Sequence, residues 1–251
     1  MGLGDELMAA GAARRSFLDH GRKVEILDRN GQRRWHPLWE GLEYIATPGQ
    51  QGAFTRMVDG PGCRPYHVAK EATRWRFNLS HRAQRAEIRF TPSELEFAER
   101  YRGRIIVEPS IKAKAPPGKQ WGRWDALARL IQDAGQQVSQ MGSANLLPGA
   151  ELIETPTFRH AAAVLSVARA AVLPEGGLHH AAAAVGCRAV VIFGGFTPIE
   201  VTGYNMHTNI GASGSEACGM RVPCSHCDWW MASISPSDVF GRLSEILAGA
   251  R

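Results

Sequence analysis

Apolar residues in the second half of the chain come in short blocks separated by turn residues, and the spacing changes from block to block. Ile105–Val107, within the short strand expected at Arg104–Val107, is a three-residue run, Ala170–Leu173 a second block and Ala189–Phe193 a third. Runs this short, bounded by glycine and proline, predict buried parallel strands. Between them the apolar positions recur at helical spacing. Trp124, Leu127, Leu130 and Ile131 mark a helix over Trp121–Ala134 that Gly135 stops, and Phe158–Ala168 and Leu178–Val185 mark two more, the latter closed by Gly186. Gln137–Gln140 and Leu152-Ile153 read as further strands. Ser235-Pro236-Ser237-Asp238 opens a last helix, Val239–Ala248, capped by Ser235 or Ser237. Strands alternating with helices predict a doubly wound α/β sheet.

The first half is less periodic. Glu6–Phe17 predicts a helix, Lys23–Leu27 and Tyr44–Ala46 predict strands, and Thr91-Pro92-Ser93-Glu94 opens a helix running to about Tyr101. Pro48 to Arg89 reads as loop. Gly103 is the expected hinge, dividing the chain into residues 1–102 and 103–251.

Composition narrows the class. At 251 residues with 44% hydrophobic content the chain suits one large or two small globular domains. Its apolar runs fall far short of the roughly 20 residues a membrane span needs. The start, MGLGDELMAAGAARR, lacks the pattern of a signal peptide, so a cytoplasmic location is expected. The net charge of +5 is mild but uneven: seven Lys or Arg lie between Arg64 and Arg89 against Glu71 and Glu87, interleaved with Tyr66, Trp75 and Phe77. That is either a footprint for a phosphate-rich partner or a solvated surface around buried aromatics.

Chemistry concentrates in Pro174-Glu175-Gly176-Gly177-Leu178, where a strand turns into a small-residue helix. Glycines admit close approach of a ligand to the backbone, and the N–H groups of a helix start favour an anion. The physical reading is a phosphate or diphosphate site; the alternative is an ordinary glycine turn in a βαβ crossover. Late in the chain, Cys218, Cys224, Cys227 and His226 have partial zinc-site spacing. Pro223-Cys224-x-x-Cys227 is also half of a nucleobase-deaminase signature, but no His-x-Glu occurs in the sequence to complete it. Reduced thiols packing a loop remain the alternative to zinc.

Three segments, in order, resemble glycosyltransferase family 9, the heptosyltransferase-like group of the GT-B fold. Gly2-Leu3-Gly4-Asp5-Glu6-Leu7-Met8 is similar to the family's G-x-G-D start. Glu108-Pro109-Ser110 followed by Lys119-Gln120-Trp121 is similar to its strand-to-helix segment. Pro174 to Ala183 is similar to its glycine turn with a following histidine. The resemblance implies two Rossmann-like domains facing a cleft; because this sequence starts at the G-x-G-D turn, its N-terminal domain departs from the family and is expected to be reduced and to lack the usual first strand.

It also implies inverting transfer of a sugar from a nucleotide-diphosphate sugar, with no metal or other cofactor required. Asp5 would be the base; its alternative role is a helix cap. Ser110, Lys112, Lys114, Lys119, Glu175, Gly176, Gly177, Leu178 and His180 would bind the donor, and Arg64, Arg74, Trp75 and Arg76 are candidates on the acceptor side. Glu175 stands where the family has Asp, and Gly176 where it has Ser or Thr. The acceptor would be a glycan of the lipopolysaccharide type. The basic, aromatic 64–89 stretch raises a hydroxylated base in DNA as an alternative, and a non-catalytic nucleotide-sugar-binding module is a third reading.

Overall fold

The computed structural model describes residues 2–142 and 146–249. In chain order its helices are α1 (Leu3–His20), α2 (Pro92–Glu99), α3 (Trp124–Asp133), α4 (Phe158–Val167), α5 (Gly177–Val185), α6 (Ile199–Thr202), α7 (Ser225–Ser233) and α8 (Pro236–Ala248). Its strands are β1 (Val24–Leu27), β2 (Thr55–Val58), β3 (His67–Lys70), β4 (Trp75–Phe77), β5 (Ile105–Val107), β6 (Val138–Gln140), β7 (Glu151–Leu152), β8 (Ala170–Pro174), β9 (Ala189–Gly194) and β10 (Thr208–Gly211).

The apolar runs of the second half form the middle of a six-stranded parallel sheet in the order β10-β9-β8-β5-β6-β7. Renumbered from its own first strand this is 3-2-1-4-5-6 read from the far edge, the doubly wound order. The winding reverses between β5 and β8, which pair directly. Ligands of such sheets bind beyond the carboxyl ends of the strands at that reversal. Strands β8 and β9 are buried along their whole length, which is why they read as unbroken apolar runs.

The N-terminal half carries a smaller sheet, the parallel pair β1 and β2, and an antiparallel hairpin of β3 and β4. It shares its core with the large sheet. Leu7, Ala10, Ile26, Trp39 and Ile45 pack in one cluster with Ala162, Leu165, Ala181 and Phe193. Helix α1 lies along α5 and α2 along α4.

Several expectations from the sequence are corrected here. Tyr44–Ala46 makes only an isolated bridge, Val24 to Ile45, not a strand. The stretch read as loop, 48–89, holds β2, β3 and β4; their sides alternate between half-buried and exposed, so no apolar run marks them. The edge strand β10 carries Thr208 and Asn209 and had no periodic signal. Helix α1 begins at Leu3 rather than Glu6, with Gly2 as its N-cap. Asp5 therefore sits inside the first turn and is not the cap.

Candidate functional site

A cleft of about 410 Å³ opens where α1, the β3–β4 hairpin and the carboxyl ends of β5 and β8 converge. It is the place the sheet topology marks. Three loops and a helix end supply its polar groups.

The first is the start of α1. Gly4 lies against α5 so closely that an added Cβ would collide with His180 and come within 3.2 Å of Gly177 Cα. The glycine is what lets the two helices meet, and it leaves the next residue, Asp5, lining the cleft. Asp5 Oδ1 accepts a hydrogen bond from the Tyr66 hydroxyl at 2.5 Å. Burial first, and then the adjacent Asp5 charge, push the Tyr66 phenol above its usual range, so it stays a donor.

The second is the loop after β5. Glu108 is buried, and its carboxylate accepts the backbone N–H groups of Ser110 at 2.9 Å and Met141 at 3.0 Å, and that of Gly142. It fastens the β5 and β6 loops together and leaves Ser110 and Lys112 facing the cleft. The Pro117–Lys119 turn brings Lys119 to the same wall, where its ammonium pairs with Glu175 and lies 5.3 Å from the centre of the Phe196 ring.

The third is the turn from β8 into α5. Burial alone would raise the Glu175 carboxyl, but Lys119, His179 and a hydrogen bond from Thr202 hold it below its ordinary value. Glu175 is thus a buried counter-ion for Lys119 in the free protein. His179 Nδ1 accepts from the Gly176 N–H at 2.9 Å, and its Nε2 lies 2.9 Å from the Thr202 carbonyl, which accepts from it. This fixes a neutral tautomer, in keeping with the desolvation that lowers its pKa. It also takes the Gly176 N–H away from any ligand. The N–H groups at the start of α5, beginning with Gly177 and Leu178, have no turn of helix before them to bond. His180 Nδ1 lies 2.9 Å from the Tyr204 hydroxyl, and burial drives the imidazole well below its usual value, so it is neutral. Glu175, His179 and His180 lie close enough together to hold a cation, but Glu175 is paired with Lys119, both His179 nitrogens are engaged by Gly176 and Thr202, and His180 Nδ1 by Tyr204.

The hairpin completes the cleft with Tyr66, Lys70, Trp75 and Phe77. Lys70 Nζ stands 4.4 Å from the centre of the Trp75 ring. Burial holds the Lys70 ammonium below its ordinary value, with Asp5 opposing the shift.

The cleft thus gathers Asp5, Ser110, Lys112, Lys119, Glu175, Gly176, Gly177, Leu178, His180 and Trp75 from the residues singled out in the sequence. It does not include Lys114, which is exposed, nor Arg64, Arg74 or Arg76. Arg64 is buried: it bonds Glu6 at 2.6 Å and Asp59 at 2.7 Å. Arg74 donates to the Cys218 carbonyl at 2.9 Å, and Arg76 pairs loosely with Glu71 on the surface. The sequence reading gave no cleft role to Tyr66, Lys70 or Thr202. They lie in stretches without a motif, and the interleaved aromatics of 64–89 were the only signal near the first two.

A glycine turn opening a helix at the reversal of a doubly wound sheet is the arrangement at which α/β proteins of this class hold phosphate-bearing ligands. A family model described as glycosyltransferase family 9 (heptosyltransferase) matches residues 64–225, and the chain belongs to that family. The match takes in the β5 and β8 loops and stops short of Asp5. Among solved structures the chain is similar to ADP-heptose lps heptosyltransferase II of E. coli, with 19% identity, 68% of this chain and 56% of that chain covered, and a TM-score of 0.51. It is also similar to the family 9 glycosyl transferase of Veillonella parvula (14% identity, 66% and 54% covered, TM-score 0.49). A third is E. coli heptosyltransferase WaaC with ADP (16% identity, 61% and 48% covered, TM-score 0.43). The chain spans about half the length of these structures, and its likeness to the first is one of fold. No curated protein sequence matches it. Among the described residues no helix is long and apolar enough to cross a membrane.

Proposed function

We propose that this protein transfers a sugar from a nucleotide-diphosphate sugar to an acceptor hydroxyl, with inversion and without a catalytic metal. The observation that carries the reading is the meeting, in one cleft, of Asp5 with the start of α5 and Lys119. The diphosphate lies on the N–H groups of Gly177 and Leu178, and Lys119 turns from Glu175 to neutralise the charge that develops on the leaving group. Ser110 and Lys112 contact the phosphates from the opposite loop. Asp5, with Oδ1 held by Tyr66, takes the acceptor's proton on Oδ2. The acceptor hydroxyl attacks the anomeric carbon, the bond to the diphosphate breaks, and the electron pair leaves with the diphosphate. Trp75 and Lys70, the ammonium over the indole ring, line the acceptor side.

ADP-heptose and lipopolysaccharide, for which the E. coli heptosyltransferase II is named, are the first donor and acceptor to try. A thermal-shift series with ADP-, GDP- and UDP-sugars tests donor binding. A donor at 100 times its Kd stabilises the fold by about 2.7 kcal/mol. Lys119→Ala should weaken a nucleoside diphosphate by roughly tenfold or more, the worth of a charge-assisted hydrogen bond, while leaving the uncharged nucleoside nearly unaffected. Equal losses for both ligands would remove Lys119 from the diphosphate. A donor that binds but is never turned over would favour the non-catalytic module.

A further inference from the structure

We propose that Cys218, Cys224, His226 and Cys227 form a closed structural zinc site that clamps the cleft walls together. One ligand atom from each of the four residues falls within 4.8 Å of the others. The Cys218 sulfur lies 3.9 Å from that of Cys224 and 3.2 Å from that of Cys227. Four ligands on a tetrahedral zinc with bonds of about 2.3 Å place their sulfurs roughly 3.8 Å apart. Three sulfurs and one imidazole make a complete ligand set for a site with no open position.

The surroundings are those of a thiolate site. The Met220 N–H donates to Cys218 Sγ at 3.4 Å. His226 Nδ1 is buried without a hydrogen-bond partner among the described residues, a cost that a bound ligand would explain. Outer hydrogen bonds of this kind orient metal ligands and tune them.

The cluster stands at a junction rather than in a surface loop. The Gly118 backbone lies so close that an added Cβ would be 2.7 Å from Cys227 Sγ, and Lys119 is the next residue. The Cys218 N–H bonds Gly195 at the end of β9, and its carbonyl takes Arg74 from the hairpin. The Trp75 N–H bonds the Gly219 carbonyl. Gly195 itself abuts His226. A single cation here fixes the turn that carries Lys119, the hairpin that carries Lys70 and Trp75, and the end of β9. It takes no part in the transfer.

The test is the metal content of the full chain, expressed with added zinc and purified without chelator or a metal-affinity tag. The expected result is about one zinc per chain. Cys218→Ser and Cys224→Ser should bring it to background, and Cys63→Ser, outside the cluster, should leave it unchanged. Since a ligand variant can fail to fold, the wild-type protein supplies a second reading. Cobalt added after removal of zinc should give the ligand-field absorption of a tetrahedral thiolate complex. Zinc at background in the wild type, a disulfide between Cys218 and Cys227, or iron in stoichiometric amount would each overturn the assignment. None of these measurements depends on turnover, so they stand apart from the proposed transfer.

Discussion

Arg64 shows how a single residue can be misread from composition. It opens the basic stretch of the sequence, yet its guanidinium is buried between Glu6 and Asp59, and Arg34 reaches the same Glu6 carboxylate at 2.7 Å. Burial pushes the Asp59 carboxyl up to about 6 even with Arg64 beside it. These charges hold the first turns of α1 to the loops after β1 and β2, and so hold Asp5 in place. Breaking such a pair from one side leaves a buried charge without compensation. Arg64→Ala is expected to cost about 3–5 kcal/mol in urea unfolding. A loss below about 1 kcal/mol, the worth of an exposed pair, would show that the network is solvated. The same burial removes Arg64 from any nucleic-acid footprint.

At the scale of elements, the seam between α1 and α5 is the arrangement on which the cleft depends. Gly4 and Gly177 face each other there, and His180 fills the space beside them. Gly4→Ala forces a methyl into that seam and should destabilise the protein by about 1–3 kcal/mol, the usual cost of overpacking. A neutral change would mean that the helices separate at little cost. The sequence made this seam partly visible. The glycine turn, the alanine helix and the buried runs of β8 and β9 each have a strong local cause, and so does the β5 loop. The strands of the hairpin do not. His67–Lys70 and Trp75–Phe77 are three or four residues long and half-exposed, and they depend on Tyr66, Phe77 and Phe196 for packing that no local pattern reports. Lys70 was hidden for that reason. The engagement of Gly176 by His179 was hidden too, because a histidine one turn into a helix gives no sign of bonding back to its start.

The whole molecule buries histidines that have little hydrogen-bond support. His67 is held down to about 3 and His207 to about 4, in both cases chiefly by burial. Both His67 ring nitrogens and His207 Nδ1 lack partners among the described residues. Below their ordinary value of 6.5 the unfolded chain binds protons that the folded protein refuses. Their contribution to stability is therefore fully present above pH 6.5 and is lost as the pH falls toward 4, offset in part by Asp59, whose raised carboxyl takes up a proton in the folded state from about pH 6 downward. The Tm should drop steadily over that window, and a flat profile would mean that these rings are solvated. The account as a whole rests on Asp5 facing the donor turn across one cleft, and Asp5→Asn tests this most directly. With the donor and acceptor identified, the variant should bind the nucleotide sugar within about threefold of wild type and lose 10²- to 10⁴-fold in kcat, the range of a missing general base. Turnover at the wild-type rate would contradict the account.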